Sequence, residues 1–101
     1  MSETVATSSA PVLPSTKTLA HASKLAIEED RPILLDYYVD TYTNAAFLGE
    51  NAETNEKVLV KNSEEYTSPI SRIFRVDNDY IVLTENSLYI VSCNIKKRRI
   101  E

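Results

Sequence analysis

The stretch YIVLTENSLYIVS, residues 80–92, decides the fold of this chain of 101 residues. Two runs rich in β-branched, aliphatic and aromatic residues flank the polar pair Glu85-Asn86, a pattern typical of a β-hairpin. If that pair is a two-residue loop, Leu83 lies opposite Leu88 and the aliphatic residues of both runs share one face. The opposite face then carries Tyr80, Val82, Tyr89 and Val91.

A hairpin that is apolar on both faces has to be covered on both faces. Three structures can provide this cover: the interior of a small barrel together with a helix, a second subunit, or a binding partner. In the last two cases the contact residues would be Tyr80, Val82, Tyr89 and Val91, together with Tyr38 from an earlier segment. Asp36 and Asp40 flank Tyr38 and would repel phosphate, so we expect that segment to suit a protein partner.

One helix is predicted ahead of the strands, over residues 16–29 (TKTLAHASKLAIEE). Leu19, Ala22 and Ala26 recur at helical spacing and form an apolar stripe. Asp30-Arg31-Pro32 ends the helix, because the residue before proline is disfavoured in the α region.

Short strands account for most of the remaining chain. Residues 33–40 alternate with a period of two, and further strands are predicted at residues 44–49, 56–61 and 70–76. The predicted fold class is therefore mainly β (α+β): five or six antiparallel strands in a strongly bent sheet or a small SH3-like or OB-like barrel, with one N-terminal helix. A flatter antiparallel sheet with the helix packed on it is the alternative, because a single glycine, Gly49, supplies few sharp corners.

Composition divides the chain into three parts. Residues 1–15 are rich in serine, threonine and proline and lack aromatic residues, so we expect a disordered arm. Residues 16–95 are expected to form a single small domain, and residues 96–101 a basic C-terminal tail. Neither a signal peptide nor a long apolar run is visible, which predicts a cytoplasmic protein with no membrane contact, a nuclear or virion-associated location staying open.

Residues that carry chemistry are few. His21 is the one histidine and Cys93 the one cysteine, and no feature of the sequence pairs them. A glycine-rich phosphate loop cannot be built from Gly49 alone, and the adjacent carboxylates do not show a metal-binding spacing. We therefore expect no catalytic residues, no cofactor and no metal.

Charge supports a second hypothesis beside protein contact. The net charge is −4, but bases exceed acids from residue 67 onward. Nucleic-acid binding by a small barrel would use Arg72, Arg75, Lys96, Lys97, Arg98 and Arg99. The primary prediction is a noncatalytic protein–protein interaction or assembly module, either self-associating or part of a larger complex; an enzyme with an unrecognised site is the third hypothesis.

Overall fold

The computed structural model describes residues 13–100, so most of the expected arm (residues 1–15) lies outside the described residues. Two helices and eight strands follow one another: α1 (Thr16–Glu29), β1 (Ile33–Leu34), α2 (Tyr38–Tyr42), β2 (Phe47–Asn51), β3 (Lys57–Asn62), β4 (Glu65–Tyr66), β5 (Ile70–Val76), β6 (Asp79–Thr84), β7 (Leu88–Ser92) and β8 (Lys96–Ile100). The helix predicted at residues 16–29 is α1.

The strands form two four-stranded sheets, so the mainly β class is confirmed. Sheet A has the order β1-β7-β6-β5 and sheet B the order β4-β3-β2-β8. Both sheets are mixed, because β1 runs parallel to β7 and β8 runs parallel to β2. The prediction of one antiparallel sheet is therefore wrong, and within residues 13–100 the sheets do not close into a barrel.

The β6–β7 hairpin has the predicted register, with Leu83 opposite Leu88 and Ile81 opposite Ile90. Its aliphatic face packs against α1, where Ala22 is fully buried. Its other face packs against sheet B: Val82 and Val91 form one buried cluster with Leu48 of β2 and Leu59 of β3. The molecule therefore consists of three layers, α1, sheet A and sheet B, with the hairpin in the middle.

The prediction of a strand over residues 33–40 is mostly wrong, because only Ile33–Leu34 forms a strand there. The chain then turns into α2, in which Tyr38 and Thr41 are buried three positions apart, at helical spacing. Leu35 and Val39, which the period of two had placed on a buried face, are about half exposed. The Thr41 hydroxyl accepts a hydrogen bond from the Ser92 amide at 3.0 Å, which fixes α2 against the end of β7.

The basic segment expected as a tail is strand β8 over residues 96–100. It pairs with β2 in register from Phe47–Lys96 to Asn51–Ile100. Charged side chains are common on edge strands, where they stay in water and discourage unwanted pairing. A run of lysine and arginine therefore fits an edge strand as well as a tail, and composition alone does not separate the two.

A buried carboxylate, that of Asp79, joins α1, α2 and sheet A. Asp79 is 2% exposed and accepts hydrogen bonds from the Ser15 amide at 3.0 Å and the Thr18 hydroxyl at 2.7 Å. The Tyr38 hydroxyl donates to its other oxygen at 2.8 Å. Ser15 also caps α1 by accepting from the Thr18 amide, so this carboxylate lies at the positive end of the helix dipole.

We predict that Asp79→Ala lowers the free energy of unfolding by about 3 kcal/mol, because it leaves buried donors without an acceptor. Urea denaturation measures the change. Asp77→Ala is the matched control: this exposed neighbour accepts one hydrogen bond from the Ser15 hydroxyl, and its removal costs about 1 kcal/mol or less. Equal losses for the two variants would contradict the role given to Asp79.

Candidate functional site

The face predicted to contact a partner lies inside the protein. Val82 and Val91 are each 1% exposed, and Tyr80 and Tyr89 pack at the border of the same cluster. The ring of Tyr89 meets that of Tyr37 edge to face, with centroids 5.3 Å apart. Sheet B of the same chain covers this face, so these four residues form core and not a free contact surface.

Tyr38, the fifth predicted contact residue, also has a structural environment. It is 6% exposed, and its hydroxyl donates to Asp79 and, at 3.3 Å, to the Leu13 carbonyl. Burial, followed by the hydrogen bond to Asp79, raises the pKa of the Tyr38 phenol well above its usual range. Tyr38 therefore remains a hydrogen-bond donor and holds α2 on sheet A.

A polar cleft of about 550 Å³ lies beside this network. Cys93, Asp77 and Asn94 line it, whereas His21 lines a separate cavity between α1 and sheet A. The cysteine and the histidine are thus not brought to one site. Among residues 13–100, no group of three or more histidine, cysteine or acidic side chains is arranged to hold a metal ion.

The outer face of sheet B carries a groove of mixed apolar and polar lining. Since Leu48 and Leu59 point into the core, their neighbours Phe47, Val58 and Val60 project to this outer side, where Val60 is 9% exposed. The groove, of about 480 Å³, is lined by Val58, Val60, Tyr66 and Ile100 together with Asn51, Glu56, Asn62 and Ser63. Tyr66 is 64% exposed.

Gly49 lies beneath this groove and allows its side chains to pack closely. A Cβ atom at Gly49 would lie 3.1 Å from Ile100 and 3.2 Å from Val60. The absence of a side chain therefore lets Ile100 of β8 approach β3 across β2. The single glycine, expected to end a strand, instead lies within β2.

The six basic residues proposed for nucleic acid lie on two strands at sheet edges, β5 and β8. Their side chains point to different faces of the two sheets. Arg98 lies over the Phe47 ring at 4.9 Å on the outer face of sheet B, and Arg72 lies 6.0 Å from the Phe74 ring on the α1 side of sheet A. Arg75 lies over the Tyr80 ring at 5.4 Å, on the side that faces sheet B.

Alternation along β8 places Lys96 with Arg98 on the outer face, and Lys97 with Arg99 on the inner side. Lys97 indeed lines an apolar crevice of about 130 Å³ between the sheets, together with Ile73 of β5. Tyr80, Val82, Val91, Leu48 and Ile95 complete its lining. Of the six cations, Lys97 lines this crevice, whereas the Arg75 Nε–H donates a hydrogen bond to the Asp77 carbonyl at 2.9 Å.

The acidic residues near the first tyrosines surround a lysine. The Lys61 ammonium lies 3.6 Å from Asp36, 3.8 Å from Asp40 and 3.9 Å from Glu65. It also lies 4.8 Å from the centre of the Tyr37 ring. Burial, with the nearby Tyr89 and the surrounding carboxylates, raises the pKa of Tyr37 to about 12.

We predict that the stability of the protein falls as pH rises from 10 to 12, because the Tyr37 phenolate is disfavoured in the fold and not in the unfolded chain. The contribution is complete below the usual pKa of 10.0 and is lost as pH rises through about 12. In Tyr37→Phe the slope of unfolding free energy against pH is smaller in this interval, by up to about 1.4 kcal/mol per pH unit. Urea denaturation at several pH values measures this slope for the unchanged protein and for Tyr37→Phe. The two slopes are equal at neutral pH. Equal slopes between pH 10 and 12 would contradict the assignment of the raised pKa to Tyr37.

The sequence-based prediction missed the outer face of sheet B. The segment VLV at residues 58–60 places apolar side chains on both faces of its strand, which implies that both faces are covered. No helix in the described part of the chain is long and apolar enough to cross a membrane. Two of the open surfaces are therefore the groove on the outer face of sheet B and the small crevice between the two sheets, and residues of β8 line both. Compared with known proteins, the chain matches no protein-family model, no curated protein and no solved structure.

Proposed function

We propose that the protein is a noncatalytic assembly module that associates with a second copy of itself through the outer face of sheet B. The observation that carries this proposal is the contrast between the two sheets. Helix α1 covers the outer face of sheet A, whereas no described helix or strand lies over the groove on sheet B, whose apolar part consists of Val58, Val60, Tyr66 and Ile100. Apolar sheet faces of this kind are typical of protein contact surfaces.

The groove face is complementary to itself. Strand pairing places Tyr66, Val60, Phe47 and Lys96 in one row across the sheet, from the β4 edge to the β8 edge. A two-fold axis parallel to the strands, lying between two such faces, reverses the order of this row in the second copy. Tyr66 of one copy then faces Lys96 of the other, a cation–π pair, and Val60 faces Phe47 and the Arg98 side chain that lies over the Phe47 ring.

A different protein bound to this face is the other form of the interaction hypothesis.

Nucleic-acid binding has less support, because arginine side chains already cover the aromatic rings beside the basic residues. Phe47 lies under Arg98, and Tyr80 lies under Arg75. Bases would therefore lack a free aromatic surface next to these cations. An enzymatic role has no supporting group of residues, since Cys93 and His21 line different cavities.

Sedimentation velocity over a range of protein concentrations tests this proposal. We expect a species of twice the 11.4 kDa chain mass. Tyr66→Lys is expected to weaken the dimer by about a hundredfold, because it places a second positive charge opposite Lys96 of the other copy while changing a side chain that is exposed in the single chain.

Ile27→Lys is the matched control, since Ile27 is 82% exposed on α1, and sheet A separates α1 from sheet B. This variant should dimerise as the unchanged protein does. Urea denaturation of both variants verifies that they fold. A monomer at every concentration, or a dimer that Tyr66→Lys leaves intact, would show that the proposal is wrong.

A further inference from the structure

We infer that the exposed side of α2 binds a basic amphipathic helix of another protein. Three apolar residues, Leu35, Val39 and Tyr42, form a stripe along α2 and the turn before it, the α2 stripe. Carboxylates lie on both sides of this stripe. The inference goes beyond the proposed self-association, because neither the surface nor the partner is that of the groove on sheet B.

The residues of the α2 stripe follow helical spacing. They lie at positions i, i+4 and i+7, and the Tyr38 amide donates to the Leu35 carbonyl at 3.1 Å, so the first turn begins at Leu35. Their exposed fractions are 48%, 52% and 43%. Among the described residues, α2 packs mainly against β7 through its other side, where Tyr38 and Thr41 are buried. The stripe therefore stays open to solvent.

One side of the α2 stripe carries more carboxylates than cations. Asp36 and Asp40 directly follow residues of the stripe, and together with Glu65 they lie 3.6–3.9 Å from the Lys61 ammonium. The Lys61 side chain is 20% exposed, whereas the three acidic side chains are 39% to 58% exposed. A partner on this side would therefore meet three carboxylates and little of the one lysine.

The other side of the α2 stripe borders the polar cleft of about 550 Å³. Tyr42 lines this cleft together with Asp77 and Asp79, and no basic residue is among the described residues that line it. Arg75 reaches the backbone carbonyl of Asp77, and neither carboxylate belongs to an ion pair of the described chain. The stripe thus lies between two acidic sides.

An amphipathic helix with basic residues beside its apolar face matches this arrangement. Its apolar side chains would pack along the α2 stripe, as helices do when their rows of side chains interdigitate. Lysine and arginine next to that apolar face would reach the carboxylates on both sides, because their long stems follow apolar surface while the charged ends stay in water. The net charge of −4 favours the approach of such a segment.

The same carboxylates argue against other occupants. They would repel the phosphates of nucleic acid and of anionic lipid headgroups. A second copy could offer the basic strand β8, but the cations of β8 alternate between the two faces of sheet B and do not flank one apolar face.

Fluorescence anisotropy with a labelled peptide of leucine and lysine, about fifteen residues long and with leucine at helical spacing, tests the inference on the full chain. We expect binding that weakens as salt is added. A peptide with glutamate in place of lysine, and a peptide in which leucine and lysine alternate, should each bind about tenfold more weakly. The first loses the charge match and the second the apolar face of a helix.

Val39→Ser and Ile27→Ser are a matched pair. Each replaces an exposed aliphatic side chain of a helix by serine, the first in the α2 stripe and the second on α1. Val39→Ser should weaken peptide binding about tenfold, because valine loses its apolar contact with the peptide. Ile27→Ser should change the affinity by about twofold or less.

A second matched pair removes charge. Asp40→Asn with Asp77→Asn takes one carboxylate from each side of the α2 stripe, and should weaken peptide binding about five- to tenfold. Glu28→Gln with Glu85→Gln removes the same charge from exposed positions on neither side of the stripe, and should change the affinity by about twofold or less. Urea denaturation verifies that every variant folds.

Lack of peptide binding, equal binding of the alternating peptide, or equal effects within either matched pair would overturn the inference. Sedimentation of Val39→Ser reports the dimer separately, and we expect this variant to dimerise as the unchanged protein does. Loss of the dimer in Val39→Ser would assign the α2 stripe to self-contact and so overturn the inference. A dimer that forms without peptide binding would remove the inference and leave the proposed function standing, whereas a monomer that binds the peptide would do the reverse.

Discussion

The β6–β7 hairpin is apolar on both faces, and the rest of the fold follows from the need to cover them. One short helix cannot cover both sides. Helix α1 takes the aliphatic face, and Leu48 and Leu59 of sheet B cover the face that contains Val82 and Val91. Placing a second sheet over the first solves the problem for the hairpin but creates a new outer surface. That surface, the groove around Val58, Val60 and Ile100, has no third layer over it in the described chain.

Polar contacts fix how the layers meet. The buried Asp79 carboxylate gathers donors from the N-terminus of α1 and from Tyr38 at the start of α2, so one acidic side chain sets the position of both helices on sheet A. Thr41 performs a similar role at the end of β7, where its hydroxyl accepts from the Ser92 amide. These bonds link segments more than forty residues apart in the chain.

The sequence predicts those parts of the fold that depend on neighbouring residues. The hairpin and α1 have strong local signals, namely two apolar runs around a polar pair, and a capped segment with an apolar stripe. Sheet B depends on pairing between distant segments, and the parallel partner of β2, Lys96–Ile100, carries a composition typical of a tail. Tyr37 continues the period-two pattern of Ile33 and Leu35, but the buried positions that follow it, Tyr38 and Thr41, have helical spacing.

The candidate sites, too, could be predicted from the sequence only in part. The basic residues could be identified from the sequence. Which face of the sheet each of them occupies, however, follows from how its strand is paired in the fold. The proposed contact face of the hairpin could be recognised as apolar, yet only the position of sheet B shows that its cover belongs to the same chain. An apolar surface in a sequence thus indicates a need for contact without indicating which contact satisfies it.

Native-state hydrogen exchange of the β6 and β7 amides, measured over a range of protein concentrations, tests the central claim most directly. If α1 and sheet B of the same chain cover the hairpin, these amides exchange through global unfolding, are the slowest in the protein, and remain protected when dilution or Tyr66→Lys leaves only monomer. Protection that is lost in the monomer, or amides of β6 and β7 that exchange as fast as those of the edge strands β5 and β8, would contradict the account.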